Sequence, residues 1–147
     1  MKSLLKLLEK DCRISAAQIA VMLGEDEETI KEKIKELEDK HIILGYKAMI
    51  DWERTDEDVV TALIEVRVTP QRGLGFERVA ERIYQYDEVE SLYLVSGGYD
   101  LSVTISGKSM KEVALFVATK LATIEGVSGT ATHFILKRYK DHGVMFR

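Results

Sequence analysis

Apolar residues in the first forty positions recur with the spacing of short amphipathic helices. Leu4, Leu5, Leu7 and Leu8 make one apolar face that stops at Asp11-Cys12-Arg13. Ser15 stands three residues before Gln18, the pattern of a capping box, and Ile19, Ala20, Met22 and Leu23 follow as a second helix closed by Gly24. A third helix, which Asp26 can cap, puts Ile30, Ile34 and Leu37 at i, i+4 and i+7 on its inner side and Glu28, Lys31, Glu32 and Lys35 outside. Two short helices joined by a Gly-containing turn predict a helix-turn-helix. Next comes a continuous apolar run, Ile42 to Ile50, of strand length, and then a polar stretch from Asp51 to Asp58. These read as a hinge strand and a linker, with Trp52 covering the junction or a partner surface. The expected division is 1–45, 46–60 and 61–147.

The second half repeats one order of elements. Thr61 to Thr69 alternates as a strand, Phe76 to Tyr86 has helical spacing, and Ser91 to Val95 is a strand. Leu101 to Ser106, Met110 to Leu121 and Gly129 to Lys137 then repeat the series. Two β-α-β units in tandem predict a ferredoxin-like βαββαβ domain, an antiparallel sheet with both helices on one face. The inner helix faces are Phe76, Val79, Ala80 and Ile83, and Val113, Phe116, Val117 and Leu121. The fold class is therefore α+β, an N-terminal winged-helix-like helix-turn-helix domain followed by the ferredoxin-like domain. Apolar residues fall on both alternations of the strands (Leu63, Val66, Val68, Leu92, Leu94, Val103, Ile105, Phe134, Leu136). Sheets are therefore expected to pair between subunits, making a homodimer the minimum assembly. The tail Gly143 to Phe146 is apolar enough to join that interface.

Composition narrows the functional classes. With 147 residues, 46% hydrophobic and 31% charged, the chain suits one average domain or two small ones with real cores. No apolar run reaches the roughly 18 residues of a membrane span, so a cytoplasmic protein without a membrane partner is expected. The single Cys12 excludes an internal disulfide, and no Cys or His lies at zinc-ligand spacing. The net charge is −4, and from Glu25 to Lys40 eight acids face four lysines, a local sum of −4. Glu27 with Lys31 and Glu36 with Lys40 are spaced to pair along a solvated face.

The stretch from Leu92 to Ile105 predicts a β-hairpin whose turn, Gly97-Gly98-Tyr99-Asp100, needs positive φ. Two glycines expose backbone N–H groups, and a carboxylate three residues after Gly97 can hold an ammonium group. That combination could grip a small amino acid. Its plain alternative is a turn and nothing more.

Asp11 to Ser15, Gln18 to Ala20, Ile30, Lys33-Ile34, Leu37-Glu38, Ile43, Gly45-Tyr46 and Ser96 to Leu101 stand in the order and spacing of one family. From about Leu4 to Lys140 the chain resembles the leucine-responsive regulatory protein/AsnC family of transcription regulators. The resemblance implies a helix-turn-helix on double-stranded DNA, with Ser15, Gln18, Glu28, Thr29, Lys31, Lys33 and Lys35 at that interface. It also implies an amino-acid effector lined by Gly97, Gly98, Tyr99, Asp100 and Leu101, with Thr132 or His133 approaching from the last strand, in dimers that assemble to tetramers or octamers. The chain departs from the family where consecutive arginines are usual on the recognition helix and Glu32-Lys33 stands instead. Glu25-Asp26 likewise replaces a Leu-Ser start, and His41 a glycine. Glu32 repels phosphate where an arginine would attract it.

Two other classes are weighed against a regulator. One is an oligomeric effector-binding module whose acidic helical domain docks on a protein without sequence-specific DNA contact. The other is an enzyme, since a siroheme decarboxylase group looks like this architecture. The three histidines, His41, His133 and His142, fit no Ser-His-Asp order, and there is no phosphate loop. No catalysis and no cofactor are therefore expected.

Overall fold

The computed structural model describes residues 1–69 and 75–147, in two compact units, Met1–Met49 and Ile50–Arg147. In the first, α1 (Lys2–Lys10), α2 (Ala16–Leu23) and α3 (Glu27–Asp39) enclose Leu4, Leu8, Ile19, Ala20, Ile30 and Leu37. The expected capping box forms: Gln18 N donates to Ser15 Oγ and Ser15 N to Gln18 Oε1, each at 3.1 Å. Gly24 ends α2 at φ 67°, a left-handed conformation that a glycine adopts without strain. Asp26 occupies the N-cap position of α3, but its side chain makes no capping hydrogen bond, contrary to expectation. Glu27 and Glu28 in the first turn already stand favourably against the N-terminal dipole. At the far end His41 takes φ 55°, while His41 N donates to Glu38 O and Ile42 N to Leu37 O. A histidine thus makes a left-handed cap at a cost of about 1 kcal/mol relative to glycine.

The run Ile42 to Ile50 is not a strand, which corrects the expected hinge strand. A strand needs a neighbour to receive its amides and carbonyls, and among the described residues of one chain this segment pairs with no strand. Ile43 packs on the first core, whereas Ile42 and Leu44 are 54% and 89% exposed.

The second unit has the expected topology. β1 (Val60–Val68), α4 (Glu77–Tyr84), β2 (Val89–Leu94), β3 (Leu101–Gly107), α5 (Met110–Phe116) and β4 (Val127–Phe134) build an antiparallel sheet in the order β2-β3-β1-β4. One turn of π-helix, Val117–Leu121, prolongs α5, with Ala122 N donating to Val117 O. Val79, Ile83, Val113, Phe116, Val117 and Leu121 pack on Ala62, Ile64, Val66, Val68, Leu101, Val103 and Ile105 in one core.

The register overturns the expectation of an apolar surface on both faces of the sheet. Val66, Val68, Val103 and Ile105 all lie on the helix-covered face, and Leu92 and Phe134 pair opposite Val103 and Ala62 on that same side. The open face carries Thr61, Glu65, Arg67, Ser102, Thr104, Tyr93 and His133, with Leu63 its main aliphatic residue. Alternation has a period of two, so the strand register assigns the faces, and composition alone misassigned them.

β5 (Lys140–Asp141) and β6 (Val144–Met145) form a hairpin whose two central residues, His142 and Gly143, take φ 47° and 80°. That is the double positive φ of a two-residue hairpin turn. The hairpin returns Phe146 beside Arg138 and Trp52, where they line a cleft of about 110 Å³ with Thr61 at its edge. Arg138 donates to Thr61 Oγ1 at 3.1 Å, which accounts for the burial of this polar residue.

Candidate nucleic-acid interface and effector turn

The outward side of α3 carries charges in pairs. Lys31 Nζ lies 3.4 Å from both Glu27 and Glu28, Lys35 lies 2.7 Å from Asp39, and Lys40 lies 2.6 Å from Glu36. The neighbouring Glu28 and Glu27 carboxylates raise the Lys31 pKa above its ordinary value, and the hydrogen bond to Asp39 raises that of Lys35. Lys33 differs: its partner is Glu25, outside the helix, and its ammonium donates to both carboxylate oxygens at 2.6 and 2.8 Å. Glu28 points to solvent and Thr29 is half-buried. Ser15 and Gln18 hold each other in the capping box, so their side-chain hydrogen-bonding groups serve the start of α2.

In the second unit, the connection between β2 and β3 is fastened to β1 by Asp100. Its amide donates to Val66 O at 3.1 Å, its Oδ2 accepts from Val68 N at 2.8 Å, and its carbonyl accepts from Val95 N. The amides of Ser96, Gly97, Gly98 and Tyr99 donate to no acceptor among the described residues. A Cβ built on Gly97 or Gly98 would meet nothing within 4 Å, so the approach to these amides is open. Gly97 has φ 155°, and Gly98 does not need a positive φ. Consecutive free amides in a turn form a concavity suited to an anion. Among the described residues no group of His, Cys, Asp and Glu could hold a metal ion.

Two family profiles match the chain: a winged helix-turn-helix DNA-binding domain over residues 2–43, and the Lrp/AsnC ligand binding domain over residues 61–145. The chain belongs to the Lrp/AsnC family of transcription regulators. An uncharacterized HTH-type transcriptional regulator of Bacillus subtilis (strain 168), YugG, is 51% identical over 97% of this chain and 87% of its own length. The HTH-type regulator LrpA of Pyrococcus abyssi (strain GE5 / Orsay) is 33% identical, covering 95% and 96%. Among solved structures, the regulator NMB0573 of Neisseria meningitidis, crystallised with L-Met, shares the fold with a TM-score of 0.76 at 22% identity, covering 94% and 88%. The family consists of regulators, which disposes of the decarboxylase alternative.

In this Lrp/AsnC regulator the expected effector residues do not all converge. Leu101 is 1% exposed and belongs to the core beneath the sheet, so its side chain is withdrawn from any ligand. Thr132 and His133 pair with Ile64 and Leu63, whereas Asp100 binds β1 at Val66 and Val68, whose β4 partners are Thr130 and Val127. Successive residues also face opposite sides, and His133 meets Glu65 at 3.1 Å on the open face. One chain therefore does not place either residue beside the turn. Sequence reasoning missed Glu25 as the partner of Lys33, because the contact crosses the α2–α3 turn. Opposite charges flanking that turn were the available signal.

Asp100 first of all secures the turn. Asp100→Ala is expected to cost about 1–3 kcal/mol by leaving the buried Val68 N–H without an acceptor, whereas Asp100→Asn keeps an oxygen and most of the stability. Urea unfolding without ligand measures both, and equal stability of all three proteins would refute that role.

Proposed function

We propose that this regulator works in the cytoplasm on double-stranded DNA, as a homodimer or as dimers assembled to a tetramer or octamer, with α3 as its reading helix and a free amino acid as effector. The observation that carries the effector reading is the open run of amides from Ser96 to Tyr99. These amides would receive the effector's carboxylate, and the Asp100 carboxylate, which keeps Oδ1 without a hydrogen bond among the described residues, would attract its ammonium. Thr132 and His133 would then come from another copy of the chain, because their own turn lies too far along the sheet. An effector acts only through differential affinity for two assembly or DNA-binding states.

The test is fluorescence anisotropy of a labelled fragment from upstream of the protein's own gene, with random duplex as competitor and L-amino acids added singly. L-methionine goes first, since a structure sharing this fold was solved with it. Saturable binding that outcompetes random DNA, and a midpoint shifted by one amino acid, are expected. Gly98→Val should lower affinity for that amino acid by about tenfold or more by filling the approach to the amides, without changing DNA affinity in its absence. Calorimetry reads the first effect and anisotropy the second. Binding that barely changes with salt and ignores sequence would favour docking on a protein instead.

A further inference from the structure

We infer that Glu25 is an internal competitor of the DNA backbone: its carboxylate holds Lys33 and withholds it from phosphate. This deepens, and rests on, the reading that α3 faces DNA. Glu25 follows the left-handed Gly24, and its amide donates to Ala20 O at 3.0 Å, so its backbone is held at the end of α2. From there the carboxylate reaches across the turn, and both oxygens accept from the Lys33 ammonium at 2.6 and 2.8 Å.

The other lysines of α3 pair within one helical turn, through side chains that are 48% to 75% exposed. Such pairs are screened by water and open readily. Lys33 and Glu25 are only 29% and 33% exposed, and a two-oxygen grip on a partly desolvated ammonium is a charge-assisted bond of the stronger kind. Phosphate presents the same chemistry to Lys33 as the carboxylate does. Exchanging one for the other gains little in hydrogen bonding and strands Glu25, unpaired, beside a polyanion. Removing the competitor therefore converts Lys33 from an internal ion pair into a phosphate contact. Glu25 acts through Lys33, so its role is one of positioning, and the number of phosphates neutralised is the quantity that reports it.

The experiment compares the full chain with Glu25→Gln, Lys33→Gln and the double variant. Each is titrated against a labelled random-sequence duplex from about 50 to about 200 mM salt, because phosphate contacts do not depend on sequence. Thermal melts establish that all four are folded. Glu25→Gln is expected to bind about tenfold tighter, with a salt slope steeper by about 0.9, and both gains are expected to vanish when Lys33 is also replaced. A folded Glu25→Gln protein with unchanged or weaker affinity, in a series where Lys33→Gln weakens binding, would overturn the inference and leave the α3 reading intact. Tightening that persists in the double variant would also overturn it, since it would show general repulsion rather than competition for Lys33. If Lys33→Gln changes nothing either alone or beside Glu25→Gln, or no protein in the series binds, the α3 reading falls and this inference falls with it.

Discussion

Lys33→Glu is expected to weaken DNA binding by more than tenfold, because two unpaired carboxylates would face the phosphates where a neutral ion pair now stands. The reversal removes a cation from α3 and sets a second carboxylate against Glu25, which now lies 2.6 Å from the Lys33 ammonium. Both groups then repel phosphate, on a helix that already carries Glu28 and Glu32 toward solvent. The variant should also lose the stability that the two-oxygen bond between Glu25 and Lys33 supplies. Anisotropy at several salt concentrations beside a thermal melt separates the two effects. Unchanged affinity in a folded variant would exclude Lys33 from the interface.

The second large effect is expected from Ile30→Ala. Ile30 is completely buried at the centre of the first unit, against Leu4, Leu8, Ile19 and Leu37. Truncating a buried isoleucine to alanine costs about 2–5 kcal/mol, the lost transfer energy plus the cavity left behind. A domain this small has little stability in reserve, so α3 should lose its support and DNA binding should disappear. The second unit has a core of its own, from Ala62 to Ile124, and its binding of an amino acid should survive. Circular dichroism, anisotropy and calorimetry on the same sample would show this dissociation, and intact DNA binding would contradict it.

The salt prediction for Glu25 and the burial prediction for Ile30 rest on different kinds of sequence signal. Ile30, Ile34 and Leu37 announce their inner face by spacing alone, and Ser15 with Gln18 announces a helix start, because both depend on neighbours within one turn. Glu25 and Lys33 lie eight residues apart across a turn, and no periodic rule joins them. Glu27 with Lys31 and Glu36 with Lys40 were legible for the opposite reason, being one helical turn apart.

The effector turn was legible in part. Gly97, Gly98 and Asp100 marked a hairpin with exposed amides, and the hairpin is there. That Asp100 spends one oxygen on Val68 could not be read from the turn, since β1 lies more than thirty residues upstream. Leu101 looked like part of the turn and is core, because the first residue of β3 falls on the helix-covered face.

Local physics, then, lies in the sequence itself: three helices and their boundaries, the tandem β-α-β order, the faces of α4 and α5, and the absence of a disulfide. Each follows from spacing, capping or composition within a dozen residues. Tertiary structure alone decided which alternation of each strand is buried, that Ile42 to Ile50 pairs with no strand among the described residues, and that Thr132 and His133 stand away from the turn. It also decided that the tail curls into a hairpin beside Trp52. These are matters of register and long-range pairing, where a shift of one residue exchanges the two faces of a strand and no short stretch carries the answer.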